Sequence, residues 1–185
     1  MSIESTPVSS LMTKNVITQT EDQNVHAVSK TMHENNIGSV VIVRNKDRDN
    51  DIISSNKPIG IITERDIVRI LGSLEPALLK APIRELMSKP LITILPNSSI
   101  KDAMQTMQLK NIRRLVVVNV EKEGKENNQD DNKMIGIITD KDIFRAIMKN
   151  QDLIPSFLSQ QLPVERKTLY EQFSEYWFDD ILHRR

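Results

Sequence analysis

The chain has 185 residues, 25 Lys+Arg balanced by 25 Asp+Glu, and no cysteine. That length fits one or two small domains with a sizeable core. Zero net charge argues against a general electrostatic affinity for nucleic acid or anionic membrane, and the missing thiol excludes disulfides, thiolate metal sites and cysteine nucleophiles. No apolar run approaches the ~20 residues of a membrane span, and residues 1–7 lack the basic and apolar regions of a signal peptide, so a cytoplasmic protein is expected.

Val8, Leu11 and Met12 suit one helical turn, and Val16-Ile17-Thr18 follows as a short extended piece. A helix is expected over residues 24–35, where Val25, Val28 and Met32 form one stripe. Residues 37–43 are a β-branched run broken only by Gly38 and Ser39, which reads as a buried strand. Residues 44–57 are polar and aperiodic and read as an exposed hairpin loop. Pro58-Ile59-Gly60-Ile61-Ile62-Thr63 is then a second strand that breaks into a helix at Glu64-Arg65-Asp66.

The same order begins again. Leu86-Met87 matches Leu11-Met12, Leu91-Ile92-Thr93 matches Val16-Ile17-Thr18, and Ile100, Ala103, Met104 and Met107 form the next helical stripe. Residues 112–118 repeat the strand, residues 121–133 repeat the polar loop, and Gly136-Ile137-Ile138-Thr139-Asp140-Lys141-Asp142 repeats the strand-to-helix corner. Met12 and Met87 are 75 apart, whereas Asp66 and Asp142 are 76 apart, so one residue of drift falls inside the loop. Each unit is β-α-β-β-α. Two units packed sheet to sheet would form an α+β fold with pseudo-two-fold symmetry, and any cleft between them would occur twice.

The two corners carry the chemistry. Thr63 and Thr139 end the strands, and Asp66 and Asp142 fall in the first helical turn. Each corner collects a hydroxyl, a carboxylate and free backbone N–H groups at one helix start. Thr-x-x-Asp before an apolar run is also a capping box that needs no ligand. The two readings are compatible, since a fixed helix start is a good place to bind a sugar or phosphate. Gly60 and Gly136 stand where a side chain would block the approach of another group.

These features, doubled and in order, resemble a tandem pair of cystathionine-β-synthase (CBS) domains over residues 8–150. The resemblance gives repeats at 8–75 and 80–150, with 151–185 as a helical extension. It implies a regulatory, non-catalytic module that binds AMP, ADP, ATP or S-adenosylmethionine between the repeats, with no obligatory cofactor and no metal. The family's ribose-binding Asp carries over to Asp66 and Asp142, and its Thr to Thr63 and Thr139. The adenine slot carries over to Val16, Ile17, Thr18 and Ile37 in one repeat, and to Ile92, Thr93 and Ile112 in the other. The resemblance joins Asp66 with Ile92-Thr93, and Asp142 with Ile17-Thr18. Arg113 and Arg114 stand where the first repeat has Gly38 and Ser39. The family's basic residues at this place reach the phosphates held by the partner repeat's Asp. The Asp66 cleft, with Arg113, Arg114 and Arg65, is therefore expected to be the stronger phosphate site, and the Asp142 cleft, with Lys141 and fewer cations, to take a less charged adenosyl ligand or stay empty. The family also implies a homodimer.

Other features count for less. Asp47-x-Asp49-x-Asp51 starts like a calcium loop, but Ile52 stands where glycine belongs and Pro58 where glutamate belongs. His26, His33 and His183 show no metal spacing. Leu169, Phe173, Tyr176, Trp177 and Ile181 form an aromatic-rich stripe in a helix expected over residues 164–185. That helix would pack on its own chain or dock on an effector protein. Two other function classes stay open: a scaffold with empty clefts, and a nucleic-acid binder, which the balanced charge disfavours.

Overall fold

The computed structural model describes residues 4–45, 57–120 and 132–149. Most of the two expected hairpin loops, and the whole of the expected C-terminal helix, lie outside these residues. The described chain forms two three-stranded sheets with the strand orders β1-β2-β3 and β4-β5-β6. The first comprises β1 (Thr18–Thr20), β2 (Ser39–Val43) and β3 (Pro58–Thr63); the second comprises β4 (Thr93–Ile94), β5 (Arg114–Val120) and β6 (Asn132–Thr139). In each sheet the first pair is parallel and the second antiparallel.

Helix α1 (Val25–Asn35) connects β1 to β2, and α4 (Ile100–Lys110) connects β4 to β5. Asn24 and Ser99 cap their N-termini with side-chain oxygens, each satisfying one of the free N–H groups, that of Ala27 and that of Asp102. Asn36 and Asn111 end the helices in the left-handed region at φ 51°, which asparagine tolerates better than most residues. Helices α2 (Glu64–Gly72) and α5 (Asp140–Lys149) follow β3 and β6 directly. A short helix α3 (Pro76–Lys80) joins the repeats. Its one sequence mark is Pro76 at the helix start, since five residues are too few to show a period.

Three layers of apolar packing hold the molecule. Val25, Val28, Met32, Ile62 and Ile70 fill the space between the first sheet and its helices. Ile100, Ala103, Met107, Leu115, Ile138, Ile143 and Ile147 do so in the second. Between the sheets, Val41, Val116 and Val118 are buried, with Val16, Ile61, Leu91, Met134 and Ile137 packed against them. The two repeats therefore meet sheet to sheet, as the duplicated pattern predicts.

The repeats are also interleaved. The 3-10 turn Val8–Ser10 opens the first repeat, yet Val8 is fully buried in the core of the second. Thr13 and Ile137 exchange backbone hydrogen bonds of 2.8 and 2.9 Å, so the opening segment extends the second sheet beyond β6. Its counterpart, Ile83–Glu85, buries Ile83 in the first core, and Ser88 pairs with Ile61 beyond β3.

The glycines explain this exchange. A Cβ on Gly60 would collide with the Met87 side chain, meeting its Cγ at 2.8 Å and the Ser88 carbonyl oxygen at 3.1 Å. A Cβ on Gly136 would meet the Met12 sulfur at 2.7 Å and the Thr13 carbonyl oxygen at 3.0 Å. Each glycine thus makes room for the Leu-Met segment of the other repeat. Met87, buried in the first core, seats one repeat's opening on the other's sheet.

Candidate functional site

Both corners form complete capping boxes. Asp66 Oδ2 accepts from the Thr63 N–H at 2.9 Å and from its hydroxyl at 2.8 Å. The Asp66 N–H is directed back at Thr63 Oγ1, at 3.4 Å. At the second corner, Asp142 Oδ2 accepts from the Thr139 N–H at 3.0 Å and its hydroxyl at 2.7 Å. The local sequence produces this geometry: threonine favours the extended strand end, and aspartate reaches back one helical turn. The two carboxylates differ in burial, because Asp66 is only 7% exposed while Asp142 is half-buried.

Charge gathers where the corners approach the other repeat. A point one Cβ bond out from Gly38 is 2.9 Å from Glu64 Oε2 and 3.0 Å from Arg114 Nη2. The Arg114 guanidinium therefore leaves the second sheet and lies against the first repeat's corner. Its backbone neighbour stays at the other corner, where the Arg113 carbonyl accepts the Asp140 N–H at 3.1 Å. Burial pushes the Arg114 pKa below its ordinary value. Asp140 and Glu64 oppose that shift by favouring the cation, and Arg113 and Arg65 add to it by repulsion. Arg114 is thus brought to Gly38 and Glu64, with Asp140, Arg113 and Arg65 acting on its charge; the sequence reading did not single out Glu64 or Asp140. Arg65, Arg113 and Lys141 are exposed.

The apolar candidates divide into two sets. Val16 packs in the layer between the sheets, against the same Val41, Val116 and Val118 cluster as Ile61 of the first repeat and Leu91 and Ile137 of the second. Leu91 is the counterpart of Val16, and Ile137 of Ile61. Each corner therefore stands at the end of a strand whose isoleucine lines the layer between the repeats. Ile61, Leu91 and Ile137 line this layer without having been sequence candidates, although the repeat alignment with Val16 pointed to Leu91. Ile37 packs instead on the helical side of the first repeat, and Ile92 and Ile112 on that of the second. The Ile92 carbonyl is directed at the Val116 N–H, at 3.4 Å. Ile17 is half-buried ahead of β1, Thr18 pairs with Val41 in β1, and Thr93 is exposed in β4 opposite Val116.

An open cavity of about 840 Å³ lies at the far end of β3 from Thr63. Pro58, Ile59, Met87, Pro90, Leu91, Thr93 and Val118 form its apolar and neutral lining, with Arg44, Lys57, Arg84 and Lys89 among its charged residues. Neither Thr63 nor Asp66 lines it, and it shares Leu91 with the layer between the sheets.

Comparisons with known proteins agree with this architecture. The model of the CBS domain family matches residues 8–73 and 83–149. Protein MJ0653 of Methanocaldococcus jannaschii is 36% identical over 178 residues, which are 95% of this chain and 80% of that protein. Protein MK0525 of Methanopyrus kandleri is 34% identical over 144 residues, 78% of this chain. The chain spans 64% of MK0525, and only 39% of a further relative, MJ1404 of Methanocaldococcus jannaschii. Among solved structures, the CBS domain pair of protein MJ0100, in complex with 5′-methylthioadenosine and S-adenosyl-L-methionine, superposes with a TM-score of 0.60 at 26% identity. The match covers 78% of this chain and 97% of that one.

Proposed function

The chain belongs to the CBS domain family, and from that premise we propose that it is a sensor of an adenosine-containing ligand, acting by binding and not by catalysis. The ligand is AMP, ADP, ATP or S-adenosylmethionine, and it sits between the repeats. Asp66 holds the ribose hydroxyls, with Thr63 beside it, and the base lies against Ile61, Leu91 and the Ile92-Thr93 backbone. Arg113, Arg114 and Arg65 take the phosphate. The second cleft uses Asp142, Thr139 and Lys141 with Val16, Ile17 and Thr18, and it takes the less charged ligand.

One observation carries this reading: the Arg114 guanidinium reaches across to the Gly38–Glu64 corner, two residues from Asp66. A buried-edge cation beside a fixed carboxylate suits a ligand with a sugar diol at one end and an anion at the other. The adenosyl ligands of the MJ0100 pair support the same class. Ligand binding shifts the relative position of the repeats within a homodimer, and an effector protein reads that shift. Among the described residues no helix is long and apolar enough to cross a membrane.

Mass spectrometry of small molecules released from the purified protein tests the ligand class, followed by calorimetric titration with AMP, ATP and S-adenosylmethionine. An adenosyl compound in the released fraction, and saturable heat with at least one of the three, is the expected outcome. No heat with any of them would leave the clefts a structural role only.

A further inference from the structure

We infer that Arg69 sets the ribose affinity of the Asp66 cleft by competing with the sugar for the carboxylate, an inference that rests on the function proposed above. Arg69 Nη2 donates to Asp66 Oδ1 at 3.0 Å. Asp66 Oδ2 already accepts two donors from Thr63. A carboxylate offers about four acceptor positions, so a ribose diol must draw on Oδ1, where Arg69 is seated.

The second repeat serves as an internal control. Asp142 Oδ2 is held by the same two Thr139 donors. The residue equivalent to Arg69 is Arg145, one helical turn from Asp142. Among the described residues Arg145 makes no ion pair with Asp142. The threonine bonds therefore suffice to fix the carboxylate, and Arg69 is not needed to orient Asp66. Asp66 is 7% exposed with Arg69 seated on Oδ1, so a ribose hydroxyl that displaces Arg69 exchanges one donor for another and does not leave the oxygen bare. Asp142 is half-buried and keeps more access to water. The Arg69 side chain is 71% exposed, so it can swing off Oδ1 into solvent at small cost.

Adenosine is the probe, because it carries the diol without a phosphate. In an Asp142→Ala background, which leaves one ribose site, Arg69→Ala and Arg69→Gln are each expected to tighten adenosine binding roughly two- to fivefold, the size of an exposed ion pair. In the reciprocal Asp66→Ala background, which leaves the Asp142 site, Arg145→Ala is expected to leave adenosine binding unchanged. Unchanged or weaker adenosine binding in both Arg69 variants would overturn the competition. Absence of adenosine binding in parent and variants alike would overturn the competition, and absence of AMP, ATP and S-adenosylmethionine binding as well would overturn the ligand reading itself.

Discussion

At the scale of single residues, the aspartate of each corner has two tasks. Asp66 closes a capping box and, in the proposed function, holds a sugar. Asp66→Ala is expected to lower stability by roughly 0.5–2 kcal/mol through the lost cap. It should also weaken AMP at least about tenfold through the lost charge-assisted bonds. Urea melts and calorimetry read the two effects separately. Gly60 is the other sensitive position. Gly60→Ala drives a Cβ into Met87 and close to the Ser88 carbonyl oxygen, with an expected cost of about 1–3 kcal/mol. Adding Met87→Ala should recover part of that loss, because the two residues share one contact and their effects are not additive. Local sequence made the threonine, the aspartate and the glycine legible, since each obeys a rule that spans a few residues. It did not reveal the Met87 partner or the Arg69 contact, because both depend on which groups folding brings alongside.

At the scale of elements, the helices that repeat a period were readable and the short ones were not. Helices α1 and α4 carry caps, stripes and asparagine stops that can be read in order. Helix α3 has no such marks. The cap of α4 also gives a pH signature. The Ser99 hydroxyl and then the Ser99 backbone N–H hold the Asp102 carboxyl below its ordinary value; burial opposes them, and the charge on Lys101 adds a lesser lowering. A folded-state pKa below the unfolded one contributes stability above the unfolded value and loses it as pH falls through the folded value. The stability difference between the parent and Asp102→Ala is therefore expected to be constant near neutrality and to shrink below about pH 4. The size is modest because the carboxylate is exposed. Denaturant melts at a series of pH values measure it, and a gap unchanged down to pH 2 would contradict the assignment.

For the whole molecule, the duplication foretold two sheets face to face but not the exchange of opening segments. The sequence places Val8 with the first repeat and Ile83 with the second, whereas each is buried in the opposite core. Nothing in a period or a motif says which sheet a short turn will join. Ile83→Ala is expected to cost about 2–5 kcal/mol. It should loosen hydrogen-exchange protection in β2 and β3, although Ile83 precedes the second repeat's strands. Because each repeat completes the other, the described unit should unfold in a single transition.

The central claim is that groups from both repeats grip one ligand, its sugar at Asp66 and its phosphate at Arg113 and Arg114. Calorimetric titration of the Arg113→Ala/Arg114→Ala variant with AMP and with adenosine tests it most directly. The expected result is AMP affinity reduced at least about tenfold with adenosine affinity retained. AMP affinity equal to that of the parent would contradict the claim.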